Sequence, residues 1–320
     1  MKQVFKTALS VLLVFLSLIL VLETSCNCQI QETTPAQSET VEKGKSFIWK
    51  ISSDTTHVYV LGSVHVASLD LYPLDNTIED AFNSAVYLVV EINTNNFTQA
   101  YATQLLFEYG TYPEGDGFRQ NVPEELYNKL DEQFNQYGIG IAMLDDFKPF
   151  VIYNLMGQSL LENLGYKGEY GVDFYFMNKA EEINMDILQL ETAEFQMGLL
   201  SSIPDDIMIM TLQYDIDSLD NQEIQEYLQE LFDAWEGGDA IKMETIVFEA
   251  LIEEPYLGPY YEIMYDQRNF NMVQKIEEFL ADNEVYFIVV GAGHLVGENG
   301  LINLLSQKGN QVEQLDKAGN

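Results

Sequence analysis

Cysteine is almost absent from this chain of 320 residues. Its two cysteines, Cys26 and Cys28, both follow an apolar run near the N-terminus. Residues 29 to 320 therefore have no thiol to act as a nucleophile and no pair to form a disulfide. This absence excludes cysteine catalysis and a disulfide scaffold from most of the chain.

Positive charge is scarce as well. The chain has 15 lysines and arginines against 51 acidic residues, which gives a formal net charge of -36. Such a chain repels nucleic-acid phosphates and anionic membrane surfaces, so nucleic acid is excluded as a partner. The carboxylates are scattered rather than collected in blocks, which indicates solubility or a saline habitat.

The N-terminus has the pattern of an export signal. Two lysines precede an apolar run over residues 8–22, which is short for a membrane span. Residues 1–25 are therefore predicted to be a signal peptide or membrane anchor. Cys26 is a candidate lipidation site, although Glu23 stands where such signals usually carry an apolar residue, and cleavage without lipid or an uncleaved anchor are the alternatives.

The next segment, residues 26–46, is polar and is predicted to be a flexible linker. The folded domain is expected to occupy residues 47–320. We expect an exported protein, periplasmic or at the cell surface, in which the N-terminus is the candidate membrane or lipid anchor.

Four short apolar segments, typical of buried strands, are each followed by a polar side chain. "HVYVLGS", the second half of a predicted hairpin, leads to His65, and "VYLVV" leads to Glu91. "MDILQL" leads to Glu191, and "EVYFIVV" leads to His294. Predicted helices separate most of these strands, so the sequence predicts an α/β fold of mixed α+β character with a central, mostly parallel sheet. The four side chains should then meet beyond the carboxyl ends of the strands.

Two of the chain's three histidines belong to Gly-x-x-His motifs, which begin at Gly62 and Gly291. The composition, with 21 glycines and 3 histidines, gives about 0.2 such matches by chance. The motif glycines and Gly293 are predicted to form sharp turns that present the histidines. Imidazoles and carboxylates at one sheet edge suit either a divalent metal or a proton acceptor with an orienting partner.

Arginine is even rarer than histidine, since Arg119 and Arg268 are the only two arginines in the chain. For Arg268 a structural salt bridge and a clamp on a substrate carboxylate or oxyanion are both open. Helices predicted at 123–137 and 221–253 carry aromatic and leucine stripes, for which a core role is favoured over a peptide groove that includes Tyr127, Tyr137 and Tyr227.

Together, "LGSVHVASLDLYPLDNTIEDAF", "YLVVEIN", "LQLETAEFQ", the Arg-Asn pair at 268 and 269, and "VVGAGHLVGENGLINLL" resemble the TraB/PrgY/GumN family. The family is similar to the Tiki metalloproteases and, more distantly, to erythromycin esterases and ChaN-like proteins. The resemblance implies an erythromycin esterase/ChaN-like fold with a helical insertion.

The resemblance also implies a hydrolase-like site. Its expected catalytic positions are His65, His294, Glu91, Glu191, Arg268 and Asn269, and its expected metal ligands are His65, His294 and Glu91. Tiki-like members are described as divalent-metal-dependent peptidases, whereas the esterase branch uses histidine as a base without metal. We therefore expect an extracytoplasmic metal-dependent hydrolase of peptidase type acting on a peptide or small molecule. A sequestering binder of peptides or small ligands and a metal-independent hydrolase are the alternatives.

Overall fold

The computed structural model describes residues 44–318, so the predicted signal or anchor, Cys26 and all of the predicted linker except its last three residues lie outside the described residues. Six strands form one sheet: β1 (Lys45–Ser52), β2 (His57–Ser63), β3 (Tyr87–Val90), β4 (Asp186–Gln189), β5 (Tyr286–Gly291) and β6 (Gln311–Asp316). Their order across the sheet is β4-β3-β5-β2-β1-β6.

The sheet is mixed, with its parallel part at one side. Strands β4, β3, β5 and β2 run parallel, whereas β1 pairs antiparallel with both β2 and β6. The predicted hairpin is β1 and β2, and the expected α/β fold with a largely parallel sheet is confirmed. Strand β5 lies in the middle and is buried along its whole length, as expected of a continuous apolar run in a parallel sheet.

Thirteen α-helical segments surround the sheet within residues 44–318. They are α1 (Asn76–Ser84), α2 (Gln99–Gly110), α3 (Phe118–Asn121), α4 (Glu124–Asn135), α5 (Pro149–Asn163), α6 (Val172–Glu182), α7 (Ala193–Ser202), α8 (Asp205–Ser218), α9 (Asn221–Glu236), α10 (Ala240–Glu253), α11 (Gly258–Tyr261), α12 (Gln267–Ala281) and α13 (Leu301–Gln307). A π-helical segment, Glu262–Asp266, joins α11 to α12. In the part of the chain that the structure describes, no helix is both long and apolar enough to span a membrane.

Most helices form an insertion between strands. Helices α2 to α6 lie between β3 and β4 in the chain, and α7 to α12 lie between β4 and β5. Helix α5 is buried at most of its positions, because it is apolar on all sides rather than along one stripe. The buried residues of these helices form one continuous core with those of the sheet.

Helix α8 and strand β6 are among the elements that were not predicted from the sequence. Helix α8 (Asp205–Ser218) mixes apolar, acidic and neutral polar residues without a clear stripe, and its amphipathic pattern is correspondingly weak. Strand β6 (Gln311–Asp316) lies at the sheet edge and is only partly buried, so it lacks the apolar run that marks β3 and β5.

Candidate functional site

The four polar side chains that follow the parallel strands lie side by side. Along the sheet edge the order is Glu191 after β4, Glu91 after β3, His294 after β5 and His65 after β2. Strands β2 and β5 pair in register, with Ser63 opposite Gly291. The two Gly-x-x-His motifs are therefore neighbours in space.

His294 is held as a neutral imidazole with one defined tautomer. Its Nδ1 lies 2.6 Å from Asn269 Oδ1, and Asn269 Nδ2 donates to the carbonyl of Asn299 at 2.8 Å. The amide oxygen therefore accepts, and Nδ1 of His294 carries the proton. Burial, helped by the Arg268 charge, lowers the pKa of His294 to about 3. Its Nε2 is therefore unprotonated and carries an available lone pair. This nitrogen lies 3.7 Å from Glu91 Oε1.

His65 is oriented in the same way by a carboxylate. Its Nδ1 lies 3.2 Å from Asp173 Oδ1, which also accepts the hydroxyl of Ser63 at 2.8 Å. Nδ1 is therefore the donor and Nε2 is the free nitrogen. Burial alone would lower the pKa of His65, but the charge and hydrogen bond of Asp173 outweigh it and raise the pKa. Because Ser63 donates to Asp173 rather than to an imidazole, it is not arranged as a nucleophile.

Gly291 lies where these groups converge. A Cβ at this position would be 2.8 Å from His65 Nε2, 3.4 Å from Glu91 Oε1 and 3.6 Å from His294 Cδ2. The missing side chain thus leaves the space into which both histidines turn. At Gly293 a Cβ would lie 2.7 Å from the Tyr265 ring.

Arg268 joins the two glutamates in a buried ion pair. Its Nε and Nη2 donate to Glu191 at 3.0 and 2.7 Å, its Nη2 also contacts Glu91 Oε2, and Nη1 lies 3.4 Å from the carbonyl of Met264. Gln196 Nε2 donates to both carboxylates, at 2.8 Å to Glu191 and 3.2 Å to Glu91. Of the two roles left open for Arg268, the structure therefore shows the salt bridge.

This pairing fixes the ionisation of Glu91. Burial alone would raise its pKa, but Arg268, the nearby imidazoles and the backbone N–H of Gly291, which donates at 2.7 Å, hold it well below its ordinary value. The pKa of Arg268 is raised in turn, because the two carboxylates outweigh its burial. Glu91 is therefore ionised at neutral pH.

Three contributors to the site were missed from the sequence: Asp173, Gln196 and Tyr265. They lie on helices or in the π-helical segment rather than at strand ends, so the strand pattern does not mark them. The one available signal for Asp173 is Gly171 before α6, where a Cβ would lie 2.5 Å from the carbonyl of His65. That glycine allows α6 to reach the end of β2.

The donor chemistry of the site fits a divalent cation. Both imidazoles donate through Nδ1 to an acceptor and turn Nε2 inward, which is the usual second-shell arrangement of metal-bound histidine. The site holds three carboxyl groups and one guanidinium, so it has an excess of negative charge when the imidazoles are neutral. Protonation of His65, whose pKa is raised, or a bound cation would offset this excess.

Glu91, the third expected metal ligand, does not have the free carboxylate oxygens that this role requires. Both oxygens of Glu91 are already engaged, by Arg268, Gln196 and the N–H of Gly291. Among residues 44–318, no group of three or more His, Cys, Asp or Glu side chains has the arrangement of a metal site. The structure thus brings His65, His294 and Glu91 together but does not confirm them as a ready-made three-ligand set.

A pocket with a cavity volume of about 60 Å³ opens over this edge. One wall carries the polar groups His65, Glu91, Arg268 and His294, together with Tyr265 and the glycine turn. The facing wall comes from α9 and α10 and consists of Tyr227, Leu228, Leu231, Phe232, Met243 and Val247. A concave site with a few convergent polar groups and an apolar wall is typical of small-ligand and substrate sites.

The remaining rare residues lie elsewhere. His57 begins β2 at the opposite end of the strand and packs against Tyr59. Arg119 lies over the ring of Tyr127. Of the three tyrosines considered for a groove, only Tyr227 lines this pocket.

Comparison with known proteins gives a family and distant relatives. Escherichia coli (strain K12) YbaP, an uncharacterized protein, is 22% identical over 267 residues, covering 82% of this chain and 94% of YbaP. The metalloprotease TIKI1 of Danio rerio is 23% identical over 320 residues, covering 84% of this chain and 63% of TIKI1. TIKI1 of Xenopus tropicalis is 22% identical, with 90% of this chain and 64% of that protein covered. The chain thus spans somewhat less than two thirds of each TIKI1 protein.

The sequence profile of the TraB/PrgY/gumN family matches residues 47–314, a range that contains both Gly-x-x-His motifs and every side chain described above. This match covers most of the chain, and the resemblance drawn from the motifs is confirmed. The chain belongs to the TraB/PrgY/gumN family.

Proposed function

We propose that this protein is a hydrolase that cleaves peptide-type amide bonds in the pocket at the sheet edge, with a divalent cation as its cofactor. One observation carries the proposal. The rings of His65 and His294 both border the space over Gly291, and each is held through Nδ1, which leaves its Nε2 available, within a buried site that holds an excess of carboxylates. The relatives named metalloprotease support the same reaction class.

Within this proposal, His65 and His294 would hold the cation, which supplies Lewis acidity toward water and the scissile carbonyl. Asp173 and Asn269 fix the tautomer of each imidazole, so that Nε2 and not Nδ1 faces the substrate. The Arg268 ion pair holds the Glu91 carboxylate ionised and in place beside His294. The apolar wall formed by α9 and α10 limits water at the reacting bond.

The test uses purified full-length protein and a mixed peptide library read by mass spectrometry. We expect turnover that chelator abolishes and that added divalent metal restores, together with bound metal in the purified protein. His65→Ala and His294→Ala should each lose turnover, whereas His57→Ala, which removes the histidine outside the site, should keep it.

Other outcomes decide between the alternatives. Turnover that resists chelator but is lost in both site variants would replace the cation by His65 as general base, oriented by Asp173. Recovery of an intact peptide in a tight complex, with no cleavage in the presence of metal, would refute hydrolysis and favour a sequestering binder.

We further propose that the protein acts outside the cytoplasm, on the basis of the apolar run over residues 8–22 and Cys26. Labelling with a fatty-acid analogue should mark the wild-type chain and not Cys26→Ala. Recovery of the whole chain in the cytoplasm, unlabelled and unprocessed, would contradict this placement.

A further inference from the structure

The wall of the pocket that faces the histidines has its own chemical character. Residues Tyr227, Leu228, Leu231 and Phe232 follow the helical repeat of α9, and Met243 and Val247 lie one turn apart on α10. We call these six residues the apolar wall. None of them carries a charge, and all are buried.

The charged side chains of the same two helices point elsewhere. Glu230 of α9 accepts Lys242 Nζ of α10 at 2.9 Å, and both side chains are about 40% exposed, at 38 and 42%. Because this pair lies on the outer surface, the pocket receives neither its acid nor its base. The absence of charge from the apolar wall is thus a property of how the helices are oriented.

The apolar wall is also anchored to the sheet that carries the histidines. Trp235 Nε1 donates to the carbonyl of Gly62 at 2.6 Å, and the carbonyl of Gly238 accepts from Gln314 at 2.7 Å. Gly238 has a φ of +63°, and a Cβ there would lie 2.3 Å from the backbone oxygen of Lys45. The turn between α9 and α10 is therefore fixed against the sheet, and the pocket exists before a substrate arrives.

The polar wall of the pocket, which carries Glu91 and Arg268, also disfavours an acidic side chain of a substrate. Its guanidinium, that of Arg268, is already paired with two carboxylates, so it is not free to pair with an acidic side chain of a substrate. An acidic side chain would meet an apolar surface on one side and an excess of carboxylates on the other. Burial of such a charge without a partner is strongly unfavourable.

We propose that the apolar wall is the specificity pocket of the enzyme and takes one aliphatic or aromatic side chain of the substrate, next to the bond that faces the histidines. The inference rests on the proposed function for the position of that bond. An aliphatic side chain gains burial against Leu231 and its neighbours, whereas a carboxylate or amide of the same shape loses its hydration there.

A binding experiment tests this without requiring turnover. The probes are N-acetyl-leucine amide, N-acetyl-asparagine amide and N-acetyl-aspartate amide, which have side chains of nearly the same shape. Saturation-transfer NMR with the full chain should show the leucine probe binding roughly 10- to 100-fold more tightly than the asparagine probe, and no binding of the aspartate probe. Equal binding of the three probes, or no binding of any, would overturn the inference.

Variants locate the bound side chain. Leu231→Asp places a charge in the apolar wall and should weaken the leucine probe at least tenfold, whereas Ile241→Asp, at a position that is 80% exposed on α10, should not. If Leu231→Asp does not fold, Leu231→Ala is the second variant. Because it enlarges the pocket, it should shift the binding preference from N-acetyl-leucine amide toward the larger N-acetyl-phenylalanine amide. An equal effect of the Ile241 variant, or an unchanged preference in Leu231→Ala, would place the side chain elsewhere.

The result of the probe-binding experiment can be distinguished from the result of the peptide-library test. Selective binding of the leucine probe with no cleavage of any peptide would refute the hydrolase and leave the specificity pocket standing. Cleavage of peptides without preference for apolar residues would support the hydrolase and refute the specificity pocket.

Discussion

Removal of the guanidinium of Arg268 should expose how strongly the site depends on charge balance. In Arg268→Met the Glu91 and Glu191 carboxylates stay buried and lose their shared partner. Loss of one partner from a buried ion pair costs about 3–5 kcal/mol. Since domains are stable by only about 5–15 kcal/mol, we expect a large part of the stability at neutral pH to be lost.

The pH dependence gives the prediction its sign. In the wild type the pKa of Glu91 lies below its ordinary value of 4.5, so its pairing contributes stability above about pH 4.5 that is lost as pH falls through the folded pKa. In the variant, burial and repulsion from the Glu191 carboxylate raise the pKa of Glu91. The variant therefore gains protons on folding and becomes less stable as pH rises. The difference in unfolding free energy between the wild type and Arg268→Met should therefore become smaller as the pH falls.

The assay is urea unfolding followed by the fluorescence of Trp49 and Trp235, at about pH 7.5 and about pH 5. The free-energy difference should be at least about 3 kcal/mol at the higher pH and clearly smaller at the lower pH. A second substitution, Glu191→Gln in the Arg268→Met background, removes one buried charge and should recover part of the loss.

The other arginine supplies the control. Arg119 is exposed and lies 4.3 Å from the centre of the Tyr127 ring, so Arg119→Met should cost no more than about 1 kcal/mol at either pH. A loss below about 1 kcal/mol in Arg268→Met at pH 7.5, or the same loss at both pH values, would refute the reasoning.

Three further changes probe the histidines. Gly291→Ala puts a Cβ 2.8 Å from His65 Nε2, so kcat should fall by about 100-fold or more through misplacement of that ring. Asn269→Leu removes the acceptor at His294 Nδ1 and should weaken metal binding, measured by titration, by roughly 10- to 100-fold. Asp173→Asn removes the charge that raises the pKa of His65, so NMR titration should give a lower pKa. Stability gained from protonated His65, which exists below its unfolded pKa and disappears as pH rises through the folded one, should shrink in the same variant.

Each of these changes has a matched control. At Gly258 a Cβ meets nothing within 4 Å, so Gly258→Ala should leave kcat unchanged. Asn271 is exposed on the same helix as Asn269, and Asp186 is exposed at the edge of the sheet, so Asn271→Leu and Asp186→Asn should leave metal binding and the His65 titration as in the wild type. If a control matches its test variant, the contact assigned to that residue is wrong.

Much of the site was predictable because it lies at strand ends. Apolar runs mark the parallel strands, and the rarity of histidine and arginine gives His65, His294 and Arg268 information that a common residue lacks. Parallel strands share one functional edge, so the sequence alone places the histidines and glutamates together.

The rest depends on packing that no local pattern encodes. Asp173 is one of 51 acidic residues, and only the approach of α6 to the end of β2 distinguishes it. Gln196 acts through its distance to two carboxylates, which a sequence cannot give. Engagement of both Glu91 oxygens likewise follows from the position of Arg268, and this is why the expected three-ligand set differs from the arrangement found.

The central position of β5 determines when the protein acquires its chemistry. This strand separates β2 from β3 in the sheet, yet it begins at Tyr286, so nearly nine tenths of the described chain is synthesised before it. His65 and Glu91 have no common edge until β5 inserts between their strands, and His294 arrives with it. A nascent chain that ends before β5 therefore lacks the assembled site at the sheet edge.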